Sequence, residues 1–203
     1  MEGSKAIVTR PAPSFEAEAW NVTKIEKISL KQYLGQYVVL FWYPLDFTFV
    51  CPTEITQFSD KYDEFKNIKC QVIAASTDSH FSHREWASKD RKKGGLGTMK
   101  IPMLADQSHQ IARDYGCLVP NEDGSSQGIS FRATYIIDDK GILRHAQIQD
   151  LPVGRNADEI LRLVQAFQYT DEFGEVCPSG WKPGGKTMVP DADATKTKEF
   201  FEG

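Results

Sequence analysis

The chain has 203 residues, of which 40% are hydrophobic and 26% are charged, and its formal net charge is −4. A chain of this length buries a core without covalent staples, and its longest apolar run, residues 37–43, is far shorter than the roughly 20 residues that span a bilayer. The small negative charge also disfavours a nucleic-acid or anionic-membrane surface. We therefore expect a globular protein that binds neither, and its four cysteines need an explanation other than stability.

The N-terminal stretch, MEGSKAIVTR, has no apolar segment and no cleavage-site pattern of the kind that directs secretion. We therefore expect a reducing, cytoplasmic environment. Structural disulfides are rare in such compartments. Each cysteine is consequently expected to serve either packing or chemistry.

Hydrophobic patterns predict alternating strands and helices after an N-terminal arm and a short hairpin within roughly the first 28 residues. Strands are predicted where apolar residues run together or flank a turn signal, over residues 37–43, 69–77, 131–138 and 142–149. Helices are predicted where apolar residues recur every three or four positions, over residues 52–67, 80–93, 106–115 and 157–167. This order is typical of one α/β domain with a mixed sheet.

The last segment of the chain has a different composition. Residues 171–203 contain three prolines and five glycines and show little periodicity. We interpret them as an extended C-terminal arm that follows a domain of residues 1–170, and not as a second domain.

Cys51 lies between the predicted central strand and the helix expected to begin at Pro52. Its sulfur would meet the unsatisfied backbone N–H groups and the positive end of that helix, and this placement favours the thiolate over the thiol. Open α/β sheets also place their active sites at the carboxyl ends of strands. The alternative is a buried cysteine that only caps the helix.

The other candidate ligands and nucleophiles have simpler interpretations. Cys70 lies in a predicted buried strand and Cys117 follows a helix stop, so both are expected to be small core residues. His80 and His83 form an H-x-x-H pair without cysteines at zinc-finger spacing, and we interpret them as surface helix residues. No metal site is predicted. No nucleotide cofactor is predicted either, because Gly94–Gly97 follows a helix and lacks a Gly-Lys-Ser/Thr sequence.

The run PLDFTFVCPTE, residues 44–54, contains Pro44, Thr48 and Cys51 in a P-x-x-x-T-x-x-C pattern. This run closely resembles the peroxidatic-cysteine motif of the peroxiredoxins. Four further segments are similar to segments of the typical two-cysteine subgroup and occur in the same order, GGLG at 94–97, GISFR at 128–132, DLPVGR at 150–155 and GEVCP at 174–178. The resemblance implies a thioredoxin-like fold, with a central mixed sheet flanked by helices, and an enzyme that reduces hydrogen peroxide and small organic hydroperoxides.

The resemblance also implies a catalytic cycle. Peroxide would oxidise Cys51 to a sulfenic acid, and Cys177 of a partner subunit would resolve it as an intersubunit disulfide. A thioredoxin or thioredoxin-like dithiol would then reduce that disulfide. The same resemblance implies an obligate homodimer, often assembled as a ring of five dimers, and a sulfinic-acid reductase as a further partner.

Five other residues acquire expected roles from the resemblance. Arg132 is expected to donate to the peroxide oxygens together with Thr48, while Pro44 shields the pocket. Glu54 and Arg155 are expected to orient Arg132. For Arg155 the alternative is a surface salt bridge, and for Thr48 it is a helix-start cap.

The sequence departs from the family pattern at two places, and the first concerns overoxidation of the cysteine. In the family, Gly94, Gly95, Leu96 and Gly97 and a terminal Tyr-Phe pair are linked to oxidation of the cysteine to sulfinic acid. Here the pair is Phe200-Phe201, so we expect intermediate sensitivity. The stretch 119–127 is also longer than the family's usual loop, and we interpret it as a surface insertion.

Two other functions remain open on sequence alone. An oligomeric holdase chaperone or a peroxide sensor is compatible with the same family resemblance. A thioredoxin-type disulfide reductase is disfavoured because the chain has no C-x-x-C motif.

Overall fold

A seven-stranded mixed sheet runs through the first of two units into which the chain divides, Met1–Asn156 and Ala157–Gly203. The structure is a computed structural model that describes residues 4–120 and 128–202. The strands are β1 (Glu16–Asn21), β2 (Lys24–Ser29), β3 (Tyr37–Trp42), β4 (Cys70–Ser76), β5 (Met103–Ala105), β6 (Arg132–Ile137) and β7 (Leu143–Gln149). Their order in the sheet is β2-β1-β5-β4-β3-β6-β7. The predicted α/β class with a mixed sheet is confirmed.

The centre of the sheet is its most apolar part, because every residue of β3 is buried. β3 pairs in parallel with β4 and antiparallel with β6, and β4 pairs in parallel with β5. The remaining pairs, β1–β2, β1–β5 and β6–β7, are antiparallel. A strand buried on both faces needs apolar residues at every position, which is the pattern that predicted β3.

Among the described residues of this unit, the α-helices are α1 (Cys51–Asp60), α2 (Tyr62–Asn67), α3 (His80–Ser88) and α4 (Gln110–Tyr115). The single helix predicted over residues 52–67 is wrong, since the chain leaves helical geometry at Lys61. The helix predicted over 106–115 begins only at Gln110, because Asp106 instead folds a turn and accepts the amide N–H of Ala112 at 2.8 Å. β5 was not predicted, and with three residues it is too short to show a pattern.

The helix predicted over 80–93 ends at Ser88, and a 3₁₀ turn follows at Arg91–Lys93. Gly94–Gly97 terminates α3 by folding back over its carboxyl end, where the Leu96 amide donates to the Trp86 carbonyl at 3.1 Å. A Cβ atom at Gly95 would lie 2.2 Å from the Lys89 carbonyl oxygen. The position therefore accepts only glycine, and the helix stop is built into the GGLG sequence.

The second unit contains two helices, α5 (Ala157–Phe173) and α6 (Thr195–Glu202). α5 extends beyond the predicted residue 167, and the predicted domain boundary at 170/171 falls inside it. The arm predicted over 171–203 is not extended throughout, because it ends in α6, where the Thr197 hydroxyl donates to the Val189 carbonyl at 2.7 Å. Eight residues are too few for a periodic signal to stand out.

Cys70 and Cys117 are both buried and unpaired, as predicted for small core residues. Burial is the main reason that the pKa of each thiol lies well above its ordinary value. Both thiols therefore stay protonated and chemically unreactive at neutral pH.

Among the helices in the described residues, none is long and apolar enough to cross a membrane.

Candidate active site

Cys51 is the first residue of α1 and follows the loop 44–50, here called the active-site loop, which leaves the end of β3. Pro52 stands in the first turn of the helix, where the missing N–H costs nothing because no intrahelical acceptor is available. The Cys51 residue is only 1% exposed. Its sulfur is therefore held away from bulk water at the positive end of a ten-residue helix.

Arg132 reaches the sulfur from the neighbouring strand. It is the first residue of β6, and because β6 runs antiparallel to β3 it lies beside the end of β3 from which the active-site loop departs. Its Nη1 donates to Cys51 Sγ at 3.4 Å and to Glu54 Oε2 at 2.6 Å. Its Nε donates to the carbonyl of Leu151 at 2.6 Å. The guanidinium is thus fixed on two sides with one nitrogen against the sulfur.

Glu54 is the carboxylate that holds this arrangement together, and it is 1% exposed. One turn of α1 after Cys51, its Oε1 accepts from both the amide and Nε of Arg155 at 2.7 Å, and its Oε2 also accepts from Arg155 Nη2 at 3.1 Å. Arg155 Nη1 donates to the Ala133 carbonyl at 2.5 Å and to Thr134 Oγ1 at 3.3 Å. Arg155 is buried, so the surface salt bridge considered for it is wrong.

The buried group carries more positive than negative side chains. Arg132 and Arg155 bring two positive charges to one carboxylate, Glu54, in a site that water does not reach. A buried uncompensated charge is costly. Cys51 Sγ lies 3.4 Å from Arg132 Nη1, so the sulfur faces this excess of positive charge.

Thr48 and Pro44 lie in the active-site loop, and each is held by local structure. The Thr48 hydroxyl donates to the Leu45 carbonyl at 2.9 Å, so its hydrogen is not available to the Cys51 sulfur. The Thr48 oxygen keeps its lone pairs free to accept from a bound molecule. Pro44 is buried two residues after the end of β3, where a residue without an N–H prevents further strand pairing.

Cys177 lies in the second unit and is half-buried. Its Sγ is 3.7 Å from the Ala166 carbonyl and 3.9 Å from Thr170 Oγ1, both on α5. It lines a cavity of about 370 Å³ together with residues of α5 and of the segment 176–180. The thiol is unpaired in this structure.

Residues 8–146 match the sequence model described as the AhpC/TSA family, and residues 166–203 match that of the C-terminal domain of 1-Cys peroxiredoxin. The chain belongs to the AhpC/TSA family. It is 57% identical to a peroxiredoxin of Cynops pyrrhogaster, over 99% of this chain and 98% of the relative, and 55% identical to peroxiredoxin-1 of Gallus gallus, over the same shares. A reduced 2-Cys peroxiredoxin of Plasmodium vivax superposes with a TM-score of 0.89 at 36% identity, covering 97% of this chain and 98% of that one.

The protein is therefore a typical two-cysteine peroxiredoxin with a thioredoxin-like fold, and it is a peroxidase that uses thioredoxin as its reductant. The family resemblance seen in the five sequence segments is confirmed. The C-terminal family match carries a 1-Cys description, yet the matched residues include Cys177.

The terminal aromatic pair of this peroxiredoxin lies in α6. Phe200 is half-buried, Phe201 is 76% exposed, and their rings meet edge to face at 5.4 Å. Phe200 lines a cavity of about 300 Å³ whose wall includes the polar side chains of Tyr169, Thr187 and Lys196. The loop predicted over 119–127 falls almost wholly outside the described residues.

His83 was misjudged from the sequence, since its side chain is completely buried and is paired with Asp46 of the active-site loop. The peroxiredoxin resemblance gave it no role. A signal was nevertheless present, because His83 stands three positions before Trp86 and therefore shares the apolar face of α3 with that buried ring. A histidine on such a face needs buried partners.

We expect Glu54→Gln to lower the free energy of unfolding by about 3–5 kcal/mol, because it leaves two buried guanidiniums without their counter-charge. Urea denaturation would measure the change. Glu85→Gln is the matched control, since Glu85 pairs with Lys89 at the surface and should change stability by less than about 1 kcal/mol. Equal small losses of stability in both variants would contradict the proposed contribution of Glu54 and its two arginines to the free energy of unfolding.

Proposed function

We propose that Cys51 is the residue of this peroxiredoxin that attacks peroxide. The thiolate sulfur bonds to one peroxide oxygen while the O–O bond breaks, the other oxygen leaves as water or an alcohol after taking a proton, and Cys51 becomes a sulfenic acid. The sulfur is oxidised and the peroxide is reduced by two electrons. The observation that carries this assignment is the contact of 3.4 Å between Arg132 Nη1 and Cys51 Sγ in a buried site.

Ionisation of the Cys51 thiol would accelerate its attack on peroxide too little to be the main source of the reaction rate. An unperturbed cysteine is about 3% ionised at pH 7, so full ionisation gains about 30-fold. A more acidic thiol is also a weaker nucleophile, so part of that gain would be lost if peroxide behaves as disulfides do. Donors placed where charge develops on the departing oxygen must supply the rest.

Arg132 is the main donor in this proposal. Its guanidinium already faces the sulfur and is held in place by Glu54 and the Leu151 carbonyl. The remaining N–H hydrogens of the same guanidinium are the proposed donors to the peroxide. Thr48 accepts a hydrogen bond from the peroxide O–H, since its own hydrogen is engaged by Leu45. Pro44 shields the pocket from water.

Cys177 is proposed to resolve the sulfenic acid of a partner subunit. Its thiolate attacks the oxidised sulfur, hydroxide leaves and is protonated to water, and an intersubunit disulfide forms; thioredoxin then reduces this bond. Cys51 is 1% exposed and a disulfide needs Cα atoms within about 7 Å. The start of α1 must therefore unwind locally in every cycle.

The proposed chemistry and the family resemblance together indicate an assembly and a location. An intersubunit disulfide requires at least a homodimer, and the resemblance further implies a ring of five dimers, which we propose for this chain. The four thiols are unpaired in the described structure, and a reducing cytoplasm would keep the disulfide transient. Sedimentation velocity on the reduced protein distinguishes the dimer from the ring.

One equivalent of peroxide should convert the wild-type chain to a dimer band on a non-reducing gel, and the band should vanish in Cys51→Ser and in Cys177→Ser. The two variants refolded together should regain it, because each then supplies one cysteine of the pair. Cys70→Ser and Cys117→Ser are the controls and should keep the band. A band that survives in either of the first two variants would refute the pairing.

We expect Arg132→Lys to slow formation of the sulfenic acid by at least tenfold, since lysine keeps the charge but loses the planar array of donors. Rapid-quench measurement with hydrogen peroxide gives this rate. Arg144→Lys, at a half-buried pair with Asp138, is the matched control and should react at the wild-type rate. A near wild-type rate for Arg132→Lys would contradict the proposal that Arg132 is the main donor to the peroxide.

Phe200 is proposed to make the C-terminal segment open more readily than a tyrosine would, which shortens the life of the sulfenic acid and limits its oxidation to sulfinic acid, the product that a sulfinic-acid reductase repairs. Phe200→Tyr should lower the inactivating dose of peroxide by about 2- to 13-fold, the worth of one hydrogen bond. Phe201→Tyr, whose ring is exposed, is the control. An unchanged inactivating dose for Phe200→Tyr would contradict the proposed effect of Phe200 on opening of the C-terminal segment.

A further inference from the structure

A buried polar network holds the active-site loop from its interior side, and the proposed chemistry does not use it. Asp46, in this loop, accepts from Tyr43 Oη at 2.8 Å and pairs with His83 Nδ1 at 2.9 Å. Its own amide donates to Asp78 Oδ2 at 2.9 Å. The side chains of His83 and Asp46 are 0% and 2% exposed. The loop is thus fixed to the interior at one residue, through both its backbone and its side chain.

The second ring nitrogen of His83 ties the network to the sheet. Nε2 lies 3.2 Å from the carbonyl oxygen of Leu104 in β5. A carbonyl can only accept a hydrogen bond, so Nε2 is the donor of this pair. His83 is thus bonded at both ring nitrogens, to the active-site loop through Nδ1 and to β5 through Nε2.

The neighbouring groups are consistent with this arrangement. Burial first, and then the Asp46 charge, raise the pKa of Tyr43 well above its ordinary value, so the phenol keeps its hydrogen and donates it. Burial and Asp46 also raise the pKa of Asp78, while the Asp46 amide and the Ser76 hydroxyl bond to its carboxyl group. The hydrogen bonds of these groups converge on Asp46.

The backbone conformation and the exposure of the loop both change directly after Asp46. Phe47 adopts a left-handed backbone with φ of 57°, which is uncommon for a bulky residue. Phe49 is 91% exposed. The segment 47–50 is therefore mostly exposed, although it carries Thr48 and leads directly into Cys51. Its Phe47 ring lies 5.6 Å from the ring of Trp86 in α3. The buried residue Asp46 and this more exposed segment are adjacent in the loop.

We propose that Asp46 and His83 are positioning residues for Cys51. They fix the start of the active-site loop, so that Thr48 and Cys51 meet the peroxide in one geometry, and they confine unwinding to the residues that follow Asp46. This inference rests on the proposed role of Cys51. It concerns how the reactive geometry is held and not which residue reacts.

Two rates measured on the same full-length protein separate positioning from simple stability. His83→Gln and Asp46→Asn should react with hydrogen peroxide at least about tenfold more slowly, because a displacement of about 1 Å is costly to an oriented reaction. Their reaction with iodoacetamide should be unchanged or faster, since a released loop exposes the sulfur. The ratio of the peroxide rate to the iodoacetamide rate should therefore fall by at least tenfold. Tyr43→Phe, which removes one hydroxyl, should lower it by about 2- to 13-fold.

Ile73→Val is the control, because Ile73 is buried in β4 but points to the opposite sheet face from Ser76, and its ratio should equal that of the wild type. An unchanged ratio in all three network variants, or a proportional loss of both rates, would overturn the inference. Tyr43→Phe carries the test if either polar substitution fails to fold. Peroxide reactivity that persists in Cys51→Ser would instead refute the proposed function, so the two failures are distinguishable.

Discussion

The buried carboxylate of Glu54 is the interaction on which the rest of the site depends. It joins α1 to β6 through Arg132 and to the segment after β7 through Arg155. Three separate parts of the chain therefore meet at one side chain that is 1% exposed. One carboxylate thus faces two guanidiniums, and the guanidinium of Arg132 also contacts the Cys51 sulfur. The contacts that join these parts of the fold are therefore the same contacts that surround the sulfur.

The active-site loop must satisfy two opposing requirements. In the proposed cycle, reaction of Cys51 with peroxide needs a fixed geometry, whereas disulfide formation would need the sulfur to leave a site in which it is 1% exposed. The structure divides these tasks along the chain: the loop is tied to the interior at Asp46, and it is exposed at Phe49. Gly94–Gly97, by ending α3 in a turn that accepts no side chain at Gly95, adds a rigid segment elsewhere in the same unit.

The parts of this structure that local patterns determine were predictable. β3 is apolar at every position, and Cys51 stands where a strand gives way to a helix. Arg132 was found only through the family resemblance, because 81 positions separate it from Cys51 and only the register of β3 with β6 brings them together. His83 was missed because the composition of a helix does not reveal which polar residue finds a buried partner. The helix over 80–93 was drawn too long because the lysines of its last part suit a helix as well as a turn.

The hydroxyl of Thr48 gives its only hydrogen to the Leu45 carbonyl, so it presents nothing but lone pairs to whatever lies in front of it. Lone pairs attract an O–H and repel another oxygen. In the role proposed for Thr48, a hydroperoxide offers the hydrogen that this oxygen lacks, and a dialkyl peroxide has none to offer. On that proposal, the hydrogen-bond polarity at Thr48 would favour a hydroperoxide, which carries an O–H, over a fully substituted peroxide, which carries none.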